Sequence, residues 1–159
     1  VETKGRIAHG SMPFLGDSAI RHMGAVLHEI ETVLYPLLAT KRTKMPVVPE
    51  GARQSTLNIN SVHGGEPEQD ADYTGLPAPC VADRCRIVLD RRFLIEEDIT
   101  EVKAEITALL ERVKATRPSF EYEIRELFEV QPTMADRDAP VVRSVAASIE
   151  RVLARQPDY

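Results

Sequence analysis

The sequence has no apolar run long enough to cross a membrane. A membrane-spanning helix needs about 18 or more apolar residues in succession, and no such run occurs among the 159 residues. The start also lacks a basic segment followed by an apolar one, which is the pattern of a secretion signal. We therefore expect no membrane partner. Because the first residue is Val1, we expect a segment of a longer protein.

Cysteine is scarce, and positive charge is outnumbered by negative charge. The number and spacing of the two cysteines, Cys80 and Cys85, do not fit a disulfide framework or a four-ligand zinc site. This usage favours a reducing compartment, and we expect a cytoplasmic protein. With 20 basic and 25 acidic residues the net charge is -5, which repels phosphate backbones. Nucleic acid is therefore not an expected partner.

The motifs of self-contained active sites are missing as well. The chain has no His-Glu-x-x-His helix, no Gly-x-Ser-x-Gly turn, no phosphate-binding glycine loop and no dinucleotide fingerprint. A zinc site needs about three or four His, Cys, Asp or Glu ligands around one ion, and no such set stands out. We predict that this segment holds no metal and does not catalyse a reaction alone.

What the chain does contain is the pattern of one folded domain, with 43% apolar and 28% charged residues. Alternating apolar positions predict strands, and three- and four-residue steps predict helices. The predicted strands cover 2–8, 55–62, 85–90 and 120–124, and the third leads into Arg91-Arg92. The predicted helices run from Asp17 or Ser18 to Pro36, from Asp98 to Arg117, and from Pro140 to Gln156. Between them we expect a basic loop at 39–54 and a solvated acidic loop at 66–79.

The order of these elements predicts an α+β fold. Strand, helix, strand, strand, helix, strand is the ferredoxin-like split βαβ unit, with two helices on one face of a four-stranded antiparallel sheet. The third helix, within 131–159, has no place in this unit. Because the unit begins and ends at the same end of its sheet, it inserts readily into a host domain. We expect 131–159 to be the chain returning to that host.

The strand at 55–62 is expected at a sheet edge and carries no proline or charge that would block pairing with a second chain. We predict a homodimer in which Leu57, Asn58, Ile59 and Asn60 pair with the same strand of the second copy. The two sheets would then form one continuous sheet, with the first helices side by side.

The residues that surround the four histidines in the sequence do not by themselves indicate a functional site. His22 and His28 lie off the apolar stripe of the first helix and are predicted to be solvated. His63 and His9 stand at strand exits, where a structural hydrogen bond is the default interpretation.

Taken together, several motifs resemble those of a known family. Residues 5–13, Gly-Arg-Ile-Ala-His-Gly-Ser-Met-Pro, and 16–20, Gly-Asp-Ser-Ala-Ile, resemble Gly-x-x-Ala-His-x-x-x-Pro and Gly-Asn-Ala-Ile. Residues 55–65 and 81–92 carry counterparts of its Gly-Gly, Val-Pro-Asp-x-Cys and Asp-x-Arg signatures in the same order. The family is that of the co-catalytic metallohydrolases, which includes acetylornithine deacetylase, succinyl-diaminopimelate desuccinylase, aminoacylase and glutamate carboxypeptidase.

The resemblance implies that residues 1–130 are a lid and dimerisation domain inserted into a catalytic domain, and that 131–159 are the first return segment of that domain. In such enzymes two metal ions, usually zinc and otherwise cobalt or manganese, activate a water that attacks an amide carbonyl. Substrates would be N-acyl amino acids or small peptides. The metal ligands would lie outside this segment, which itself carries no cofactor.

The resemblance also implies roles for three residues. His9 matches a histidine that reaches across the dimer and hydrogen-bonds the substrate carbonyl as negative charge develops. Arg92 matches an arginine that holds the substrate carboxylate; the alternative is a surface ion pair with Asp90 or Glu96. Gly65, in the Gly-Gly signature, is a further candidate for substrate binding. The sequence departs from the family near Pro79 and Ala82, where an asparagine and a proline are usual.

Two other functions remain open at this point. The ferredoxin-like fold also serves stand-alone modules that bind a small effector and regulate a neighbour, and the domain could be a dimerisation scaffold without a catalytic role. Metal-ligand motifs on both sides of this segment would favour the hydrolase.

Overall fold

The computed structural model describes residues 1–65 and 79–157. Its strands are β1 (Glu2–Lys4), β2 (Thr56–Gly64), β3 (Arg84–Arg92) and β4 (Glu121–Glu123). Its helices are α1 (Ala19–Glu29), a π-helical segment (Ile30–Leu34), α2 (Tyr35–Thr40), α3 (Ile99–Thr116) and α4 (Pro140–Leu153). Short 3-10 turns occupy Pro13–Leu15 and Glu50–Arg53. The predicted acidic loop at 66–79 lies, except for Pro79, outside the described residues.

The four strands form one antiparallel sheet in the order β2-β3-β1-β4. This is the order of the ferredoxin-like unit, and the predicted fold is confirmed. β2 stands at one edge and β4 at the other, so the expected edge position of β2 is also confirmed.

The core lies between one face of the sheet and the helices. The alternation in β2 and β3 turns one set of side chains inward, and these meet the apolar stripes of α1 and α3. The largest fully buried apolar side chains are Phe120, Met23, Ile30, Leu38, Ile87, Leu110 and Val26. A buried hydroxyl on β1 is satisfied within this layer, since Thr3 Oγ1 donates to the carbonyl of Ala19 at 2.8 Å.

The predicted helix starts are confirmed by their caps. Ser18 Oγ accepts from the backbone N–H of Arg21 at 3.3 Å at the start of α1. Asp98 Oδ1 accepts from Thr100 N at 2.8 Å and from Glu101 N at 3.3 Å at the start of α3. Each cap satisfies amides that the first helical turn leaves without partners.

The prediction that the first helix ends at Pro36 is wrong. The chain remains helical to Thr40, and Pro36 lies in the first turn of α2. The π-helical segment before it changes the hydrogen-bond spacing, because Tyr35 N–H donates to Ile30 rather than to the carbonyl four residues back. A proline in the first turn of a new helical segment removes no bond that this segment needs, so the helix continues.

The prediction that His22 is solvated is also wrong. His22 is only 2% exposed and belongs to the buried side of α1, whereas His28 is exposed as expected. The His22 ring is edge-on to the ring of Phe120, and the two ring centroids are 5.5 Å apart. The buried face of α1 is wider than its apolar residues alone suggest, because a histidine with a hydrogen-bond partner can also lie on it.

The C-terminal helix stands apart in its burial. α4 begins at Pro140 as predicted, and none of its residues is buried. Within the described ranges no helix combines the length and apolarity that a membrane crossing demands.

Candidate functional site

The loop that carries His9 connects β1 to α1. Its two stems are joined at Arg6 and Asp17, each of which donates its N–H to the other's carbonyl at 2.8 Å. Gly16 is required beside this pair, because a Cβ there would lie 2.8 Å from the Arg6 carbonyl and from Ala8 Cβ. We call residues 5–17 the His9 loop. β1 is therefore shorter than predicted, since the chain leaves the sheet to form this loop.

His9 lies exposed in the loop, and its ring orientation is fixed by Ser11. The backbone N–H of Ser11 donates to His9 Nδ1 at 3.2 Å, and Ser11 Oγ lies 2.8 Å from the same atom. An N–H can only donate, so Nδ1 is the acceptor and the proton of the neutral ring sits on Nε2. The exposed His9 ring therefore carries a hydrogen-bond donor at Nε2.

The His9 loop also exposes apolar side chains. Phe14 is 77% exposed, and Ile7, Met12 and Leu15 are exposed as well. A group of apolar side chains of this size on one loop is typical of a surface that another molecule or domain covers.

Gly65 lies at the same end of the sheet as the His9 loop. It follows β2 with φ of +84°, a conformation that favours glycine, and its N–H donates to Arg84 at the start of β3 at 3.3 Å. His9 forms a backbone bridge with Cys80, which also precedes β3. Pro79, which stands where the resembling family has an asparagine, accepts a hydrogen bond from the backbone N–H of Gly10.

Arg92 lies at the opposite end of β3, where it pairs with Thr56. The nine residues of β3 span roughly 26 Å at 3.3 Å per step, so one chain does not bring Arg92 near His9. The Arg92 side chain is 78% exposed and its Nε lies 2.8 Å from Asp90 Oδ1. The ion pair of the alternative interpretation is thus present with Asp90, and the carboxylate-binding role stays a prediction.

The predicted pairing residues of β2 divide between two faces. Leu57 is buried and Ile59 half-buried against the core, whereas Asn58 and Asn60 are exposed, with their amides 2.6 Å apart. The pairing with β3 shifts register between Ile59 and Ser61, which is the mark of a β-bulge. Among the described residues no strand pairs with the outer side of β2.

A charged cluster behind Arg92 was not found from the sequence. Arg91 Nη2 lies 2.7 Å from Glu97 Oε1 and 3.0 Å from Glu105 Oε2. Lys41 contacts the same two carboxylates, at 2.9 Å in the case of Glu97. We call these four residues the Arg91 cluster. Arg91 lies six residues from Glu97 and 14 from Glu105, but Lys41 lies 56 residues from Glu97, so local spacing alone does not reveal the cluster.

Glu97 is the centre of the Arg91 cluster. It also accepts from Leu94 N at 2.8 Å and from the Ser55 hydroxyl. Burial alone would raise the pKa of Glu97, but the hydrogen bonds from Ser55, Leu94, Lys41 and Arg91 outweigh it and lower the pKa from 4.5 to about 2. The cluster therefore holds the end of β3, and with it the backbone of Arg92.

The described residues do not fit a metal centre. Residues 1–65 and 79–157 contain no group of three or more His, Cys, Asp or Glu side chains that could hold an ion. Cys85 is a buried free thiol, and its burial raises its pKa.

Solved structures of longer proteins share this fold. A tripeptidase from Staphylococcus aureus matches with a TM-score of 0.58 and 18% identity, over 95% of this chain and 33% of its own length. Aminopeptidase PepT from Bacillus cereus matches with a TM-score of 0.55 and 21% identity, over 98% of this chain and 35% of its own. The chain spans about a third of each of these proteins.

Comparison with curated protein sequences finds no match. Residues 1–118 match the M20 family of peptidase dimerisation domains. This range includes the His9 loop and the β2 edge. The match covers most of the chain and agrees with the fold. The chain belongs to the family of M20 peptidase dimerisation domains.

Proposed function

We propose that this chain is the lid and dimerisation domain of a cytoplasmic, metal-dependent amide hydrolase that acts on N-acyl amino acids or small peptides. Family membership supports this function over a stand-alone regulatory module. The zinc, cobalt or manganese ions of such an enzyme would be held by residues outside the described part of the chain, which has no suitable ligand set. The domain would not be catalytic alone.

The observation that carries the proposal is the donor at His9 Nε2. Ser11 occupies Nδ1, so the neutral ring offers Nε2–H from an exposed loop. Such a donor can hydrogen-bond a substrate carbonyl oxygen and stabilise it as negative charge develops there. A donor held in place before the reaction does not have to be reoriented during it.

A homodimer would complete this site. If β2 pairs antiparallel with β2 of a second copy, the two-fold axis places the Gly64 end of one strand near the Thr56 end of the other. The His9 loop and Gly65 of one subunit then approach the partner subunit's Arg92. This arrangement lets His9 donate to the carbonyl and Arg92 bind the carboxylate of one substrate, although the two residues lie far apart in a single chain.

The same proposal divides the chain into residues 1–130 and 131–159. The second part includes α4, which exposes several apolar side chains, among them Val141, Val145 and Val152. Just before it, Phe128 is 87% exposed. These apolar side chains fit a segment that packs against the rest of the catalytic domain.

Replacement of His9 in the full-length enzyme tests the proposal. His9→Ala should lower kcat about 100- to 1,000-fold, the usual effect of losing one oxyanion donor, and should leave the bound metal unchanged. His28→Ala, an exposed histidine on α1, is the matched control and should retain full activity. Wild-type turnover by His9→Ala would favour a pure dimerisation scaffold instead.

A further inference from the structure

A hydrogen-bonded polar pair, a buried histidine and a half-buried aspartate, joins α1 to the end of the His9 loop. His22 Nε2 lies 3.0 Å from Asp17 Oδ2, and the His22 side chain is almost entirely enclosed. A carboxylate can only accept, so Nε2–H donates to it. The second ring nitrogen, Nδ1, is buried and has no hydrogen-bond partner among the described residues. The bond to Asp17 is therefore the contact that offsets the burial of this polar ring.

Asp17 connects this histidine to both ends of the loop. Its backbone is paired in both directions with Arg6, which leads to His9. Its carboxylate accepts hydrogen bonds from His22 on α1 and from Ser119, the residue before Phe120. Burial acts to raise the pKa of Asp17, and these two hydrogen bonds together lower it below its ordinary value. Asp17 is thus held as an ionised acceptor between the loop, α1 and the entry to β4.

Arg6, whose backbone is paired with Asp17, lies three residues before His9 in the chain. Arg6 Nε also donates to the carbonyl of Leu15 at 3.2 Å, so the loop is closed on itself above the stem. A shift of the stem would therefore carry the whole loop with it, including the imidazole. In catalysis, a displacement of about 1 Å can lower the rate on the order of 100-fold.

We propose that His22 is a positioning residue for His9: its part-buried hydrogen bond to Asp17 fixes the stem of the His9 loop on helix α1. This inference rests on the proposed role of His9. It assigns no contact with substrate to His22. It predicts that loss of the bond changes where His9 lies without changing how the substrate binds elsewhere.

The experiment uses the full-length enzyme and three replacements that separate the hydrogen bond from the packing. His22→Leu removes the donor, and Asp17→Ala removes the acceptor from its half-exposed side without altering the core. His22→Gln retains an N–H donor. Both disruptive variants should lower kcat about ten-fold or more, with KM unchanged, and His22→Gln should recover most of the wild-type kcat.

Val26→Ala is the matched control for stability. Val26 is 1% exposed and lies one turn further along α1, so its truncation weakens the core without touching the loop. It should lower the unfolding midpoint in urea and leave kcat unchanged. An equal loss of kcat in Val26→Ala would mean that general destabilisation, not loop position, accounts for the effect, and would overturn the inference.

A double-mutant cycle with His9→Ala decides whether His22 acts through His9. In the His9→Ala background, Asp17→Ala should cause no further loss of kcat, because the group it positions is gone. An unchanged loss in that background overturns the positioning role, as does wild-type kcat in both single variants. If His9→Ala itself retains wild-type turnover, the proposed function fails first, and the two failures are thereby distinguished.

Discussion

Replacement of Glu97 by Gln should destabilise the chain severely at neutral pH. The Glu97 side chain is 11% exposed and contacts both cations of the Arg91 cluster, Lys41 and Arg91. The Arg91 side chain is 8% exposed. Each pKa unit corresponds to about 1.4 kcal/mol, so lowering the pKa from 4.5 to about 2 represents on the order of 3 kcal/mol. Breaking one partner of a buried pair typically costs about 3–5 kcal/mol. Both routes give a loss of about 3 kcal/mol or more.

The pH dependence of this loss has a definite sign. A carboxylate whose folded pKa lies below its unfolded value stabilises the fold fully above the unfolded value, and this contribution disappears as pH falls through the folded value. For Glu97 the window runs from 4.5 down to about 2. The difference in free energy of unfolding between wild type and Glu97→Gln should be largest above pH 4.5 and should shrink across that window.

Urea denaturation at several pH values between 2 and 7 measures this difference directly, with the window taken from the Glu97 pKa. Glu31→Gln, at an exposed position of the π-helical segment, serves as the control and should change stability by less than about 0.5 kcal/mol. A loss below about 1 kcal/mol at pH 7 would place Glu97 with ordinary surface ion pairs and refute the reasoning. A difference that stays constant down to the acid limit would refute the assigned pKa.

The β2 edge and the α3 cap give two further tests. Leu57→Pro should convert the homodimer to a monomer in light scattering, because proline removes a backbone donor from the pairing strand. The control Leu57→Ala loses only core contacts and should remain dimeric. A dimeric Leu57→Pro would exclude this interface. Asp98→Ala should lower the free energy of unfolding by about 1 kcal/mol in urea denaturation, because Asp98 caps two amides of α3; no change in the urea midpoint would show that the cap contributes little.

The fold could be predicted from the sequence because its signals are local. Strand alternation, the caps at Ser18 and Asp98 and the helix start at Pro140 each depend on a few neighbouring residues, and each is confirmed. Pro36 misled the prediction because its effect depends on the π-helical turn before it. Whether that turn forms is decided by packing over the whole helix, which a single proline does not encode.

The candidate site was less predictable because its members interact over long distances. The His22 ring pairs with Asp17, five residues away, but its burial depends on Phe120, about a hundred residues later. Glu97 belongs to a cluster that also includes Arg91, six residues away, and Lys41, 56 residues away, so it forms only when the residue after α2 reaches the connection between β3 and α3. Charged residues in an exposed alternation are usually solvated, so nothing in the local pattern distinguished these.

The placement of His9 and Arg92 at opposite ends of β3 constrains how the domain can take part in a reaction. In the proposed function, one copy would offer a donor for the substrate carbonyl at one end and an arginine for the substrate carboxylate at the other, too far apart for a small substrate. Antiparallel pairing of two β2 strands reverses the direction of the second copy and brings unlike ends together. A dimer of this kind would therefore supply two composite sites, whereas a parallel or face-to-face association would bring like ends together or none. The outer side of β2, which pairs with no strand in the described part of the chain, is thus the feature on which the proposed chemistry depends.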